Sequence, residues 1–370
     1  MRRNLLLLFS FFAAAWGLAA APLAAQAVDE MDRPAVVVLV PAKAVYLDVA
    51  MAGNRIVAVG ERGLIIYSDD RGRTWRQASV PTSVSLTRVK FATPMAGWAL
   101  GHSGIVLHTA DGGQTWTRQL DGRAAAQLAL EEAQADAEHA GAGNAKARHD
   151  LANAQQLVSD GPDKPFLDLL IENDKTAWIV GAYGLILRTE DGGASWKSWI
   201  DHVDNPRGMH IYSIVEQGNT MYMAGEQGLF LRSTDHGEKF SSIATPYKGT
   251  YFTLTLLPTG EIVLGGMRGN AYRSADQGRS FTKVRVPVPV SFSAALVMAD
   301  GTPVFANQAG MLLASRDKGV SMMPLPSGAL PPIAGMAEMG DGMVMTVGYG
   351  GPIPVPVGSM LAGNSSGGAK

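Results

Sequence analysis

The 370-residue sequence contains no cysteine. That excludes disulfides, thiolate metal sites, cysteine nucleophiles and a lipid-modified N-terminal cysteine. A chain of this size has core enough to do without disulfide staples. Charge of one sign is also missing: 31 basic against 33 acidic residues leave a net charge of −2. This removes the electrostatic case for nucleic acid, and no polybasic stretch marks an anionic membrane surface. The seven histidines are scattered, with no H-E-x-x-H or comparable metal spacing, so no metal or other cofactor is expected. Glycine, in contrast, is abundant at 43 and recurs at fixed offsets. Such recurrence points to many tight turns and hence many short strands.

Residues 1–27 have the form of an export signal. Arg2 and Arg3 supply a positive start, Leu5 to Ala15 an apolar run, and Ala25-Gln26-Ala27 a small-x-small cleavage site. Cleavage after Ala27 would start the mature chain at Val28 in a periplasm. The alternative is an uncleaved anchor, against which Pro22 and Gln26 interrupt the run.

Self-comparison shows a repeat. Ser68-Asp69-Asp70-Arg71-Gly72-Arg73-Thr74-Trp75 fits S-x-D-x-G-x-T-W. Related copies carry Asp111, Gly113 and Trp116, then Asp191, Gly193 and Trp196, then Asp235, Gly237 and Phe240, then Asp276, Gly278 and Phe281. A degraded sixth ends Asp317, Gly319, Ser321, Met322. In this Asp-box the aspartate can accept from the turn's own N–H groups, the glycine supplies positive φ, and the closing aromatic packs between repeats. A G-x-x-G turn precedes each of the first five boxes, at Gly60, Gly101, Gly181, Gly225 and Gly266; Asn307 to Gly310 is a degenerate copy, and Gly348 to Gly351 a seventh without a box. The final positions of the boxes are 41 to 44 residues apart, except for 80 between Trp116 and Trp196.

A period near 40 with four short apolar segments is the size of a propeller blade. The predicted fold is all-β: a seven-bladed β-propeller over residues 28–357, followed by a flexible tail, 358–370. Blade seven lacks a good fourth strand. The apolar stretch Ala35 to Val40 is expected to pair into it and close the ring. Because the boxes weaken along the chain, the later blades are expected to be less regular.

The boxes, G-x-x-G turns, seven units and export signal together resemble the photosystem II stability/assembly factor-like family. The resemblance spans roughly Ala35 to Val357. It implies a non-enzymatic scaffold that aids assembly or stability of a membrane-protein complex. Arg268-Gly269-Asn270 is its more specific detail, and Arg268 the residue it implies for client contact. Because Asp-boxes also occur in sialidases and other glycoside hydrolases, a glycosidase remains the alternative, with a sugar-binding or purely structural propeller behind it. The box aspartates are accounted for as turn caps, and Arg55-Ile56-Val57 lacks the proline of a sialidase signature. Gly363-Asn364-Ser365-Ser366-Gly367 matches G-x-S-x-G only formally, with no strand before it or helix after it. No catalytic residue is assigned. An enzyme would need two carboxylates about 5–10 Å apart in a cleft.

Residues 123–161 break the repeat between blades two and three. Ala124 to Ala140 and Asn144 to Val158 read as two helices around Gly141-Ala142-Gly143, forming an antiparallel hairpin or a mobile arm. The insertion and the G-x-x-G turns should share one face, opposite the boxes. Arg62, His102, Tyr183, Glu226, Arg268, Asn270 and Tyr349 are the partner-binding candidates on it. Their mixed character suits a protein partner, the periplasmic part of a membrane-protein complex, bound by a monomer.

Overall fold

The computed structural model describes residues 29–141 and 143–363. The expected export signal and residues 364–370 lie outside them. Seven antiparallel sheets follow one another in chain order, six with four strands and the last with three. In blade one the strands are Tyr46–Ala52, Arg55–Gly60, Ile65–Ser68 and Arg76–Gln77. Every inner strand carries a register shift near its start, as at Tyr46/Asp48 and Leu86/Arg88. Such a bulge sharpens the local twist.

The core is divided among seven clusters, each joining two neighbouring blades. The box aromatics enter these layers. Trp116 lies with Val57 and Val59 of blade one, Trp196 with Trp98 of blade two, and Phe240 with Trp178 of blade three. The seventh cluster joins Tyr46 and Ile56 of blade one to Ala337, Met345 and Val347 of blade seven. The ring therefore closes by side-chain packing.

It does not close by a shared strand. Ala35 to Val40, expected to pair into blade seven, forms no strand and runs beside blade one. The Ala35 N–H bonds to the Val80 carbonyl, and the Gln77 side chain bridges Val36 and Val38. Val38 alone turns inward to the blade one–seven layer, while Val37 and Leu39 point to solvent. A two-residue outer strand offers too short a ladder to hold this segment as a fifth strand. Blade seven stays three-stranded, ending at Ile353–Val355. That strand lies in the sequence Pro352-Ile353-Pro354-Val355-Pro356. Ile353 and Val355 sit opposite Thr346 and Val344, so the prolines, which have no N–H, fall on the free edge.

Two further expectations need correction. Val357–Gly363, mostly placed in the flexible tail, is a short helix, α3. Val357 is fully buried, and Met360 and Leu361 pack on the blade six–seven layer, which is why the chain stays ordered there. The later blades are not less regular up to blade six. The degraded sixth box keeps its turn: Ser315 Oγ donates to Asp317, which also accepts from the Ser321 N–H and Oγ. Only the aromatic is lost, and Met322 fills its place, 3 % exposed.

The insertion forms two helices, α1 (Gly122–Ala140) and α2 (Ala145–Asp160), packed against each other. Asp121 caps α1 by accepting from the Arg123 and Ala124 N–H groups, and Asn144 caps α2. Ala125, Ala126, Ala129 and Ala133 are buried, and small side chains there let α1 approach closely. No helix among the described residues is long and apolar enough to cross a membrane.

Candidate binding surface

Each of the first five G-x-x-G turns is a single tight turn whose third residue has left-handed backbone: φ is 55° at Arg62, 53° at Ser103, 57° at Tyr183, 52° at Gln227 and 53° at Arg268. The closing glycine lies against the connection to the next blade. A Cβ on Gly63 would meet the Thr82 carbonyl, and one on Gly104 the backbone of Gly122, where α1 begins. Turns and connections thus share a face. The boxes meet the other turns of the fold, as where Gly112 N–H bonds the Met95 carbonyl.

The candidate residues are distributed around this face. Tyr183, 57 % exposed, and Tyr349, 73 % exposed, lie open to solvent on blades three and seven. Arg62, His102 and Arg268 are exposed on blades one, two and five. Tyr183 and Glu226 are linked through His210, whose ring lies 5.0 Å from that of Tyr183 and 3.5 Å from the Glu226 carboxylate. Asn270 is turned into its own turn, its Nδ2 donating to the Met267 carbonyl at 2.9 Å.

The helical hairpin leaves from this face but leans along the outer edge of blade three, with α1 against the strand Lys197–Ser198. Between hairpin and blade lies a groove of about 690 Å³. It runs from Ser198 and Asp201 at the rim to Tyr183 and residues 205–208 on the G-x-x-G face. Glu132, Asp136, Asp150, Asp160, Asp201 and Asp204 outnumber Lys146, Lys164 and Arg207 on its walls. Burial pushes the Glu132 carboxyl up to about 7, helped by the neighbouring charges of Asp201 and Asp136 and opposed by the Ser198 hydroxyl. Glu132, Asp201 and His202 bring donor atoms within 4.8 Å of one another.

Sequence reasoning missed this site, because its residues come from the insertion and from the segment after the third box. It also missed a buried ion network on the inner strands. Arg88 Nε lies 3.1 Å from Asp168, Lys90 Nζ 3.0 Å from Asp168, and Arg88 3.7 Å from Asp48. The carboxylates also accept from the next blade: Asp48 from the Val89 N–H, Asp168 from that of Ile214. Burial holds Asp48 above its ordinary pKa despite Arg88; at Asp168 Lys90 and Arg88 outweigh burial and hold it below. The detectable signal was an alignment of inner strands, Tyr46-Leu47-Asp48 against Leu86-Thr87-Arg88 and Phe166-Leu167-Asp168.

Fold and repeat together define a seven-bladed Asp-box propeller carrying a helical arm. More specifically, the chain belongs to the family of the photosynthesis system II assembly factor YCF48, whose model matches residues 28–142 and 148–290. Similar solved structures include YCF48 bound to D1 peptide, at 16 % identity and a TM-score of 0.60 over 87 % of this chain and 98 % of that one. YCF48 from Cyanidioschyzon merolae is 17 % identical, with a TM-score of 0.62 over 85 % and 96 %. The GH74 enzyme of Niastella koreensis has the same fold at 10 % identity, with a TM-score of 0.58 over 86 % of this chain and 53 % of that one. No curated protein matches the sequence.

Proposed function

We propose that this protein is an exported, non-enzymatic assembly scaffold that holds a segment of a membrane-protein client on its G-x-x-G face. The carrying observation is the groove beside blade three, which opens onto that face at the exposed ring of Tyr183. An acidic, partly apolar groove of this length suits an extended peptide with basic and apolar side chains. The family membership and the peptide bound to a structurally similar YCF48 support a polypeptide client. Photo-crosslinkers at Tyr183 and Met267, on the binding face, and at Lys318, on the box face, test the reading. We expect adducts with one integral membrane protein from the first two positions, reduced when residues 123–161 are deleted. Equal labelling from Lys318, or none from Tyr183, overturns it.

One observation favours a glycosidase: Glu132, its carboxyl pushed up to about 7 by burial, stands beside Asp201. Against it, among the described residues no ring of arginines surrounds the pair, and Tyr183 is the one Phe, Tyr or Trp on the groove wall. Turnover of aryl glycosides that disappears in Glu132→Gln would establish the enzyme reading.

A further inference from the structure

Three acceptor groups converge at the rim end of the groove. His202 lies in the turn Ile200–His202 after the outer strand of blade three, and its ring stacks on Trp199 at 4.1 Å. Its Nδ1 faces the Glu238 carbonyl at 2.7 Å. A carbonyl can only accept, so Nδ1 carries a proton and Nε2 is the ring atom turned to the carboxylates. That Nε2 lies 3.5 Å from Asp201 Oδ1, also an acceptor. From the hairpin, Glu132 brings a third, and the three donor atoms lie within 4.8 Å of one another. Beside them the Ser198 hydroxyl, 5 % exposed, lines the groove without a hydrogen bond of normal geometry. Acceptors that face one another across an open groove need a proton or a cation between them.

We propose that Glu132, Asp201 and His202 form a binding site for a divalent transition-metal ion, which fastens the helical hairpin to blade three. The imidazole and two carboxylates match the ligand set of Zn²⁺, and the backbone carbonyl on Nδ1 is the partner that orients a metal-binding histidine. A tetrahedral ion with bonds near 2.1 Å holds its donors about 3.4 Å apart. The His202–Asp201 separation of 3.5 Å is already close to that value, and the Glu132 oxygen lies within 4.8 Å of both. An imidazole ligand favours Zn²⁺ over Mg²⁺ or Ca²⁺, which select oxygen alone. The inference does not depend on the client reading.

A second histidine–carboxylate cluster serves as the internal control. His236 lies between Glu172 and Glu216, with one ring nitrogen 3.1 Å from each. The two ring nitrogens of His236 thus face different carboxylates, whereas His202 turns Nδ1 to a backbone carbonyl and only Nε2 to its carboxylates.

The test uses tag-free mature protein and calorimetric titration with ZnCl₂, followed by hydrogen exchange of the hairpin with and without Zn²⁺. We expect one Zn²⁺ per chain, no heat with MgCl₂ or CaCl₂, and slower exchange across residues 122–160 when Zn²⁺ is bound. Glu132→Gln and His202→Ala should each weaken binding at least tenfold, while His236→Ala leaves it unchanged. Glu132→Gln sits on a surface arm and keeps the propeller intact, so its result stands even if His202→Ala perturbs the stack on Trp199. Absence of binding overturns the proposal. So does binding untouched by Glu132→Gln, binding lost only in His236→Ala, or binding without protection of the hairpin.

Discussion

Replacing Arg88 with methionine asks whether the inner ring is held by charge or by shape. Methionine keeps much of the stem and removes the guanidinium. Asp168 keeps Lys90 at 3.0 Å, so the loss falls on Asp48, which has no other ion pair within 4 Å among the described residues. Stranding one partner of a buried pair costs about 3–5 kcal/mol. The Arg88–Asp48 contact is long at 3.7 Å and Asp48 keeps the Val89 N–H, so the expected cost is near the low end, about 3 kcal/mol. With an unfolding entropy of about 2.1 cal/mol/K per residue, that is a fall of about 4 °C in Tm. The cost must also depend on pH. Asp48 already sits above its ordinary pKa, and losing Arg88 raises it further. A carboxylate with a raised folded pKa favours folding at low pH and loses that contribution as pH rises through the folded value. Asp168, held low by Lys90 and Arg88, contributes stability above its ordinary range, part of which the variant forfeits. Both effects enlarge the wild-type advantage toward neutral pH. Urea unfolding followed by tryptophan fluorescence at pH 4.5 and 7.5 measures it, and adding Asp48→Asn should restore part of the stability at pH 7.5. A penalty below about 0.5 kcal/mol at pH 7.5, or a larger one at pH 4.5, refutes the charge argument.

Three further outcomes are expected. Trp196→Ala should cost about 3–5 kcal/mol by chemical denaturation, because the ring fills the blade two–three layer. Asp191, lowered to about 2 by the Ser195 hydroxyl and N–H and by Thr189, stabilises the fold above its ordinary pKa and loses this as pH falls toward 2. The Tm gap between wild type and Asp191→Asn should therefore narrow between pH 5 and pH 2; a constant gap contradicts the assignment. Pro354→Val restores an N–H on the open edge of blade seven, and light scattering should show concentration-dependent association that the wild type lacks.

The repeat made the scaffold legible because each blade needs the same turn chemistry in the same place. Ser68, Asp70, Gly72 and Trp75 are each demanded by a local bond or by the layer they enter, so their spacing carried blade count and faces together. Closure was misread because Ala35 to Val40 has the composition of a strand. Composition records a preference for extended chain and not a partner, and Gln77 captures this segment first. The candidate site was only half visible. Tyr183 and Arg268 are readable from their turns, but Glu132, Asp201 and His202 meet only once the hairpin leans over blade three. The ion network was hidden for the same reason: Asp48, Arg88 and Asp168 are 40 and 80 residues apart and become neighbours only through the ring.

A ring closed by side-chain contacts alone, apolar packing and the Arg71–Asp341 ion pair, has a built-in point of rupture. Six junctions between blades are crossed by the chain itself; the seventh, between Tyr46 and Ile56 on one side and Met345 and Val347 on the other, has no covalent crossing among the described residues. Under tension applied to the two ends, the load falls first on that junction, and the circle should open there into an arc before any blade unravels. The same junction is where the chain could be joined and re-cut: a circular permutant linking residues 29 and 363 would give it a covalent crossing and move the gap elsewhere.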